Sequence, residues 1–371
     1  MQKIAFNSNE TPSVGVEIEL ALVDKETLAL TNAIHGIIGN LPENLRSQIK
    51  PKLMQCYLEI NSKTCANIPQ VEADLREKAS IVQDIADQQG VGLYWTGTHP
   101  FSPWKEQVPS PGERYAKLLD LLQDLGRQLV TFGLHVHVGV DSGDKCVMVC
   151  DRIMRHLPVL LALSCNSPWW ENRITGLKSH RSKVMEMLPT AGLPTTMSNW
   201  SEYVWLVNHL IDTGFINSIR EIWWDVRPHY NFGTVEIRIC DIPGNLDYAM
   251  ALASLVHCLV ASLSDQIDYG MYQRDGHPMM IQQNKWRAAR FGLDAKIVDP
   301  ITHDWKTARE HVCDMVEKFA PVAERLECSE WLERAGKMAG EPSWATRQLE
   351  MYRETGSFQE TVRKMVNSSR L

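Results

Sequence analysis

Four segments of the chain alternate between apolar and polar residues, which is the pattern of a β-strand with one buried face. The segment GVEIELALV, for example, places valine, isoleucine and leucine on one side and two glutamates on the other. The other three segments follow the same rule with different polar residues. The pattern therefore predicts four strands, at Val14–Val23, Tyr57–Asn61, Leu134–Val140 and Thr234–Asp241.

Between these strands, apolar residues recur at the three- and four-residue spacing of amphipathic helices. Pro158 predicts a kink or break in one of them. Another contains the apolar run Ala249–Leu263, which is shorter than the roughly 20 residues of a membrane-spanning helix and therefore predicts a buried helix. The predicted helices are Val71–Gln89, Glu113–Leu129, Cys146–Ser164, Asn199–Asp212 and Asp247–Leu263, and the predicted loops include Gly97–Pro111 and Pro189–Pro194.

The order of these elements indicates the class of fold. Strands and helices are mixed without regular β–α–β alternation, which favours an α+β fold with a largely antiparallel sheet. From about Tyr272 the chain becomes polar and helical, and no strong strand pattern follows Ile301. A chain of 371 residues is near the upper size for one continuous core. We therefore expect a single domain over residues 1–371, with residues 272–371 as its mainly helical C-terminal part.

Composition and charge narrow the class of protein. The formal net charge of −7 disfavours a protein that coats nucleic acid. Nine cysteines, an odd number without a C-x-x-C pair, fit a reducing compartment better than a disulfide scaffold. The polar N-terminal residues lack the apolar core of a signal peptide. We expect a cytoplasmic protein that binds neither nucleic acid nor membrane.

The polar faces of the four predicted strands carry chemically active side chains. Successive side chains of a strand point to opposite faces, so residues two apart share a face. Such a face can simply meet water in an antiparallel sheet. A solvated face, however, normally includes lysine, threonine and serine, whereas these faces hold no lysine. The residues concerned are Glu17 and Glu19, Glu59, His135 and His137, and Glu236 and Arg238.

If the strands are neighbours, three or four carboxylates converge and repel one another unless cations lie among them. Hard oxygen ligands with one or two imidazoles suit Mg²⁺ or Mn²⁺. Arg238 adds a planar guanidinium that suits a phosphate oxygen. This combination indicates phosphoryl transfer from a nucleotide. Neither a Walker A loop nor G-x-G-x-x-G occurs, so metals and arginines on the sheet would hold the nucleotide.

Three loops supply candidates for substrate binding. They contain His99 in GTHPFSPW, Arg181 in ITGLKSHR and Arg227 in WWDVRP. Functional residues often lie on such loops. Arg181 and Arg227 could bind a substrate carboxylate or could bridge loops. His99 could equally be a hydrogen-bonded structural histidine.

The order of these motifs resembles that of a known family, the bacterial carboxylate–amine ligases, or type 2 glutamate–cysteine ligase family. The similarity runs from about Val14 to Asp241 and is expected to continue to the C-terminus, although the last hundred residues carry few motifs. In the loop before TG, where the family usually carries a glycine and an aspartate, this chain reads Asn172, Arg173 and Ile174. The motifs are GVEIEL, YLEINS, GTHPFSPWKEQ, ERY, GLHVHVGV, LPVLLALSCNSPWW, TGLKSHR, WWDVRP and GTVEIRICD.

The resemblance implies a glutamine-synthetase-like fold, in which an antiparallel sheet flanked by helices forms a funnel lined with metal ligands. It implies a homodimer or larger homo-oligomer whose single domain is catalytic. The implied activity is the ATP-dependent joining of a carboxylate, typically the γ-carboxylate of glutamate, to an amine such as that of cysteine. The implied Mg²⁺ ligands are Glu17, Glu19, Glu59 and Glu236 with His135 or His137, and Glu236 and Arg238 are the implied catalytic residues.

The expected reaction is amide formation through an acyl phosphate. The expected activity is glutamate–cysteine ligation at a low rate. The residues alone leave three alternatives open. A metal-dependent hydrolase would use H-x-H on a strand as the start of its metal site. A phosphotransferase would phosphorylate a guanidino or carboxyl group and stop. A non-catalytic nucleotide or metal sensor would retain the site for binding alone.

Overall fold

The strands that carry the polar faces lie in one sheet. The structure is a computed structural model that describes residues 4–271 and 276–371. In chain order, the strands of the main sheet are β1 (Val14–Asp24), β2 (Ile49–Pro51), β3 (Tyr57–Asn61), β4 (Val91–Tyr94), β5 (Gly133–Gly139), β10 (Val226–His229) and β11 (Thr234–Asp241). Three separate two-stranded sheets are β6 (Trp169–Trp170) with β7 (Arg173–Ile174), β8 (Ala191–Gly192) with β9 (Trp223–Trp224), and β12 (Lys296–Val298) with β13 (Trp305–Thr307).

The described residues also form α-helices on both sides of β11 in the chain. Before β11 they are α1 (Ile34–Gly39), α2 (Ile68–Gln88), α3 (Glu113–Leu122), α4 (Asp124–Arg127), α5 (Gly143–Ile153), α6 (Leu157–Ser164), α7 (Arg181–Glu186) and α8 (Trp200–Asp212). After β11 they are α9 (Leu246–Asp268), α10 (Pro278–Phe291), α11 (Ala308–Arg325), α12 (Ser329–Gly340), α13 (Trp344–Thr355) and α14 (Phe358–Ser368).

The main sheet is antiparallel throughout and has the order β10–β11–β5–β1–β3–β2, with β4 also paired to β1. The four predicted strands are the four central neighbours of this sheet, and their bounds agree to within one residue. The register places Glu17 opposite His135 and Glu19 opposite Glu59. The predicted α+β class with an antiparallel sheet is therefore confirmed.

The apolar face of the sheet packs against helices. Val16, Ile18 and Val136 are fully or almost fully buried, and α9 contacts β5 while α6 contacts β11. Helix α9 is apolar on all sides, and it has 23 residues, which is longer than the sequence predicted and long enough to cross a membrane. Most of it is buried inside the protein, so it forms the centre of the core.

Two of the predicted helices are broken, and each break has a local cause. The predicted helix Glu113–Leu129 splits into α3 and α4 at Gln123, which has a left-handed φ of 50°. The predicted helix Cys146–Ser164 splits at a 3-10 turn, Met154–His156. Pro158 follows that turn as the second residue of α6, where its missing N–H leaves no helical hydrogen bond unmade.

The C-terminal part contains five of the helices, α10 to α14, together with the hairpin of β12 and β13. No strong strand pattern follows Ile301, yet Trp305–Thr307 forms β13, because three largely exposed residues are too few to show alternation. The expected boundary at Tyr272 lies outside the described residues. Buried residues of the sheet and of α11, such as Val16 and Val312, belong to one continuous hydrophobic cluster.

Candidate active site

The polar face of the sheet is buried rather than wet. Only 4% of Glu59, 2% of His135 and 1% of Glu236 is exposed. The side chain of Glu17 is 19% exposed, and that of Arg238 is 14% exposed. Buried charges are found where they are paired or coordinate metals. The face is therefore not a solvated surface but a candidate site.

One group of possible metal ligands joins β1, β3 and β5. Glu17, Glu59 and His135 each offer one ligand atom, and these atoms lie within 4.8 Å of one another. His135 Nδ1 is 3.0 Å from Glu17 Oε2. Burial, followed by the charge of Arg238, lowers the pKa of His135 to about 4. The imidazole is therefore neutral at physiological pH, which is the form that binds a metal.

A second group joins β1, β5 and β11 through Glu17, His137 and Glu236. His137 Nε2 is 3.5 Å from Glu17 Oε1 and 4.0 Å from Glu236 Oε1, while its Nδ1 bonds to Thr234 Oγ1 at 3.0 Å. The buried Nε2 has no hydrogen-bond partner among the described residues. Although burial opposes it, the charge of Glu236 raises the pKa of His137. This position therefore attracts positive charge.

Glu17 belongs to both groups. Its Oε1 faces His137 and its Oε2 faces His135. Burial would raise the pKa of Glu17, but the contacts with the two histidines hold it well below its usual range. An ionised carboxylate with one oxygen directed to each group is suited to bridge two cations.

Glu19 is on the same face but in neither group. Its Oε2 accepts a hydrogen bond from the backbone N–H of Gly133 at 2.7 Å, and its Oε1 is 3.2 Å from Lys52 Nζ. The same ammonium forms an ion pair with Glu59. Glu19 therefore lies next to Glu59 but belongs to neither group, and its predicted role as a metal ligand stays untested.

Glu236 lies between two arginines. Arg227 Nε donates to Oε2 at 2.7 Å, and Arg238 Nη1 donates to Oε1. Although burial opposes it, the charges of Arg227 and Arg238 hold the pKa of Glu236 well below its usual range. Arg238 keeps a buried Nε that has no hydrogen-bond partner among the described residues. Arg227 lies on β10 in register with Glu236, and not on a loop as the sequence predicted.

Residues 13–367 match the sequence model of the family described as glutamate–cysteine ligase family 2 (GCS2). The chain belongs to this family. The resemblance inferred from the motifs is confirmed, and it extends well beyond Asp241, where the motifs end. The predicted enzyme class, an ATP-dependent carbon–nitrogen ligase, is confirmed with it.

Curated relatives cover almost the whole chain. A protein of Gloeobacter violaceus named "Putative glutamate–cysteine ligase 2" is 39% identical over 97% of this chain and 97% of its own. A protein of Frankia casuarinae named "Putative glutamate–cysteine ligase 2-1" is 40% identical over 88% of this chain and 87% of its own.

Solved structures share the fold at low sequence identity. The glutamate–cysteine ligase of Francisella tularensis in complex with AMP has a TM-score of 0.71 at 14% identity, covering 98% of this chain and 90% of that one. The bifunctional glutathione synthetase of Pasteurella multocida has a TM-score of 0.70 at 13% identity, covering 97% of this chain and 52% of that one. The predicted glutamine-synthetase-like fold is confirmed.

Arg181 is hydrogen-bonded to the backbone of β11 in this GCS2-family protein. Its Nη1 donates to the carbonyl of Ile239 at 3.2 Å, and its Nη2 donates to the carbonyl of Arg238 at 3.3 Å. Its buried Nε has no hydrogen-bond partner among the described residues. A Cβ atom on Gly133 would lie 2.2 Å from Arg181 Nη2, so glycine is needed there for the guanidinium to fit. The guanidinium is therefore fixed against β5 and β11.

His99 is not brought to the cluster. Its Nδ1 accepts hydrogen bonds from the backbone N–H groups of Phe101 and Ser102, so its Nε2 donates to the carbonyl of Leu28 at 3.0 Å. Burial lowers the pKa of His99 to about 3. Both ring nitrogens are thus engaged in holding the loop, and a substrate-binding role for His99 stays an untested prediction.

Two features of the site depend on strand order, which the sequence pattern did not give. Lys52 follows the edge strand β2 and reaches the face only because β2 pairs with β3. The pairing of Arg227 with Glu236 depends on β10 being next to β11. A signal for Lys52 was nonetheless present, since it stands seven residues before Glu59, across a turn from a predicted strand.

Proposed function

We propose that this protein is a glutamate–cysteine ligase, which joins the γ-carboxyl group of glutamate to the amino group of cysteine with hydrolysis of ATP. Family membership and the names of the relatives support the substrates. The observation that carries the chemistry is that Glu17 stands between two groups of possible metal ligands, with the Arg238 guanidinium beside them.

The proposed reaction passes through an acyl phosphate. A carboxylate is a poor electrophile, because its leaving group would be oxide. Transfer of the γ-phosphoryl group of ATP to the carboxylate turns the leaving group into phosphate. The amine then attacks the carbonyl carbon, and the products are the amide, ADP and phosphate. In this reaction, Arg238 donates hydrogen bonds to the oxygens of the phosphoryl group while it is transferred from ATP to the carboxylate.

The two groups of ligands fit Mg²⁺ or Mn²⁺. Each group offers two carboxylates and one imidazole, a donor set that suits hard divalent cations. The unpartnered Nε2 of His137 faces two carboxylates, and a bound cation would supply the charge missing there. When bound, such cations would neutralise the negative charge that develops during phosphoryl transfer. Glu17, Glu59 and His135 would hold one ion, and Glu17, His137 and Glu236 the other.

A cavity of about 410 Å³ opens beside His137 and beside Glu17, the residue that both groups share. Its walls include Lys50 and Lys63, two exposed cations, and Phe232, which is 57% exposed. The cavity is adjacent to the proposed ions and is lined by both polar and aromatic side chains. We propose that the nucleotide and the substrates approach the sheet face through it.

The two remaining arginines have different proposed roles. Arg181 Nε has no hydrogen-bond partner among the described residues, and the backbone carbonyls of Arg238 and Ile239 hold the guanidinium, so we propose that it binds the substrate carboxylate. The Arg227 guanidinium is engaged by Glu236 and by the carbonyl of Ile222. A substrate carboxylate would have to compete with Glu236 for it. We therefore propose that Arg227 positions Glu236 first and contacts substrate only secondarily.

We further propose a cytoplasmic homodimer. All nine cysteines are free thiols, and eight of them are buried, which is consistent with a reducing compartment. Sedimentation equilibrium of the purified protein tests the oligomeric state directly, and a mass of about one chain at working concentration would contradict it.

Trapping with hydroxylamine tests the proposed mechanism. Hydroxylamine is small and strongly nucleophilic, so with ATP, Mg²⁺ and glutamate it should give the γ-hydroxamate and ADP when cysteine is absent. Arg238→Lys and Glu236→Gln should lose this product, which excludes a contaminating enzyme. Phosphate transfer without hydroxamate would indicate a phosphotransferase. Hydrolysis without ATP would indicate a hydrolase, and ATP binding without turnover a sensor.

A further inference from the structure

Lys52 places a positive charge inside the cluster of carboxylates. Its Nζ is 3.2 Å from Glu19 Oε1 and forms an ion pair with Glu59. The side chain of Lys52 is 27% exposed, whereas those of Glu19 and Glu59 are 8% and 5% exposed. The ammonium is thus directed inward from the edge of the sheet, onto two almost fully buried acids.

The two acids need a cation. Glu19 and Glu59 are directly opposite each other in the pairing of β1 with β3. Like charges opposite each other across an antiparallel pair destabilise it, and burial removes the water that would screen them. Among the described residues, the backbone N–H of Gly133 donates the one further hydrogen bond to Glu19. Lys52 supplies one positive charge between these two acids.

The geometry distinguishes this pair from the two groups that fit divalent ions. Both of those groups contain Glu17, and neither contains Glu19. In both, the carboxylates face imidazole nitrogens, which can share an ion with them. Between Glu19 and Glu59 the facing group is an ammonium, which has no lone pair and cannot be a metal ligand. The position between these two acids therefore does not fit a metal ion.

We propose that Lys52 is a built-in cation that occupies the Glu19–Glu59 position, so that this protein binds two divalent ions and no third. The inference rests on the proposed function only in assuming that the two groups around Glu17 bind ions. Lys52 supplies there a fixed positive charge that a chelator cannot remove. It is a positioning residue, because it holds Glu59, which is itself a possible ligand of one ion.

Counting bound ions tests the inference without any turnover. Mn²⁺ bound at saturation is measured by electron paramagnetic resonance of the free ion, on the full chain, with and without a non-hydrolysable ATP analogue. The wild-type protein should bind two ions. Lys52→Glu should bind one more, because a third carboxylate then faces Glu19 and Glu59. Lys52→Arg should bind two, because it keeps the charge.

A matched variant controls for the change of net charge. Lys25 lies just beyond the end of β1 and pairs with Asp87, away from the cluster. Lys25→Glu should therefore bind two ions. Three ions on the wild-type protein would overturn the inference, and so would an unchanged count in a folded Lys52→Glu protein.

A second measurement covers a variant that folds poorly. Lys52→Met removes the ammonium from between the two acids. The melting temperature of this variant should therefore be low in a chelator. It should rise with Mn²⁺ more than that of the wild-type protein. An equal rise in both would contradict the inference. Two ions without ligase turnover would contradict the proposed function and leave the inference standing. No bound ion on the wild-type protein would overturn both.

Discussion

His137 Nε2 lies 3.5 Å from Glu17 Oε1, and no hydrogen bond among the described residues uses this buried nitrogen. A buried ring nitrogen without a hydrogen-bond or metal partner lowers the stability of the folded protein. The other carboxylate oxygen of Glu17, Oε2, forms a hydrogen bond with His135 Nδ1 at 3.0 Å. The Glu17 carboxylate thus belongs to both groups of possible metal ligands, and its removal should affect both.

Glu17→Gln should lose both bound ions, because the amide is neutral and cannot bridge two cations. We expect ATP-dependent turnover to fall by about 10³-fold or more, beyond the loss that follows removal of one transition-state donor. His135→Asn should weaken one ion only. Mn²⁺ binding measured on both variants checks this difference. Glu26→Gln, an exposed glutamate after β1, is the control. Two ions bound tightly to Glu17→Gln would contradict the assignment.

Arg238→Lys should retain ATP binding and lose turnover by about 10²–10³-fold, because lysine is a point charge that cannot reproduce the planar pair of donors. Initial rates measure the loss of turnover, and a separate measurement of nucleotide affinity shows whether ATP binding is retained. Since Arg238 also binds Glu236, the melting temperature must be measured as well. Turnover at the wild-type level in a folded variant would remove Arg238 from the chemistry.

Glu236→Gln should destabilise the protein as well as inactivate it. The substitution leaves the buried guanidiniums of Arg227 and Arg238 facing a neutral amide. Breaking a buried pair in this way costs about 3–5 kcal/mol. Denaturant unfolding measures the loss. The chain offers a matched control in Glu341, which also lies between two arginines but is 31% exposed. Glu341→Gln should cost less than about 1 kcal/mol, and equal losses would contradict the argument.

Strand alternation predicted which residues share the site face, because the direction of a side chain depends only on its position along its own strand. It therefore grouped Glu17, His135 and Glu236 correctly. It could not predict which acid meets which base, because that depends on the order and register of strands distant in the chain. For this reason Lys52 was missed, and Arg227 was placed on a loop. It also could not show that the face is buried.

Gly133→Ala should disturb substrate binding through Arg181. The new Cβ would lie 2.2 Å from Nη2 and 2.7 Å from Cζ of that guanidinium, so Arg181 must move. If Arg181 binds the substrate carboxylate, the KM for glutamate should rise at least about tenfold while the KM for ATP changes little. Gly39→Ala is the control, because nothing lies within 4 Å of the added atom. A lower melting temperature with both KM values unchanged would make Arg181 purely structural.

The buried neutral His99 should make the protein less stable in acid. Its pKa is about 3 in the folded protein and about 6.5 in an unfolded chain. Between these pH values the unfolded chain binds a proton that the folded protein does not. The stabilisation is therefore complete above about pH 6.5 and is lost as the pH falls towards 3, by up to about 1.4 kcal/mol per pH unit.

Replacing His99 with asparagine shows how much of the pH dependence of the free energy of unfolding comes from His99. Asparagine keeps an oxygen near the place of Nδ1, where it can accept from the N–H groups of Phe101 and Ser102, but it does not titrate. We expect His99→Asn to be less stable at pH 7, since it loses the bond to Leu28, and to lose stability less steeply between pH 6 and pH 4. The free energy of unfolding in urea, measured at several pH values, gives both slopes. Other buried histidines, such as His156 with a pKa of about 3, contribute equally to both proteins and cancel in the difference. The same slope in both would mean that His99 is protonated in the folded loop, and its neutral, structural role would then be wrong.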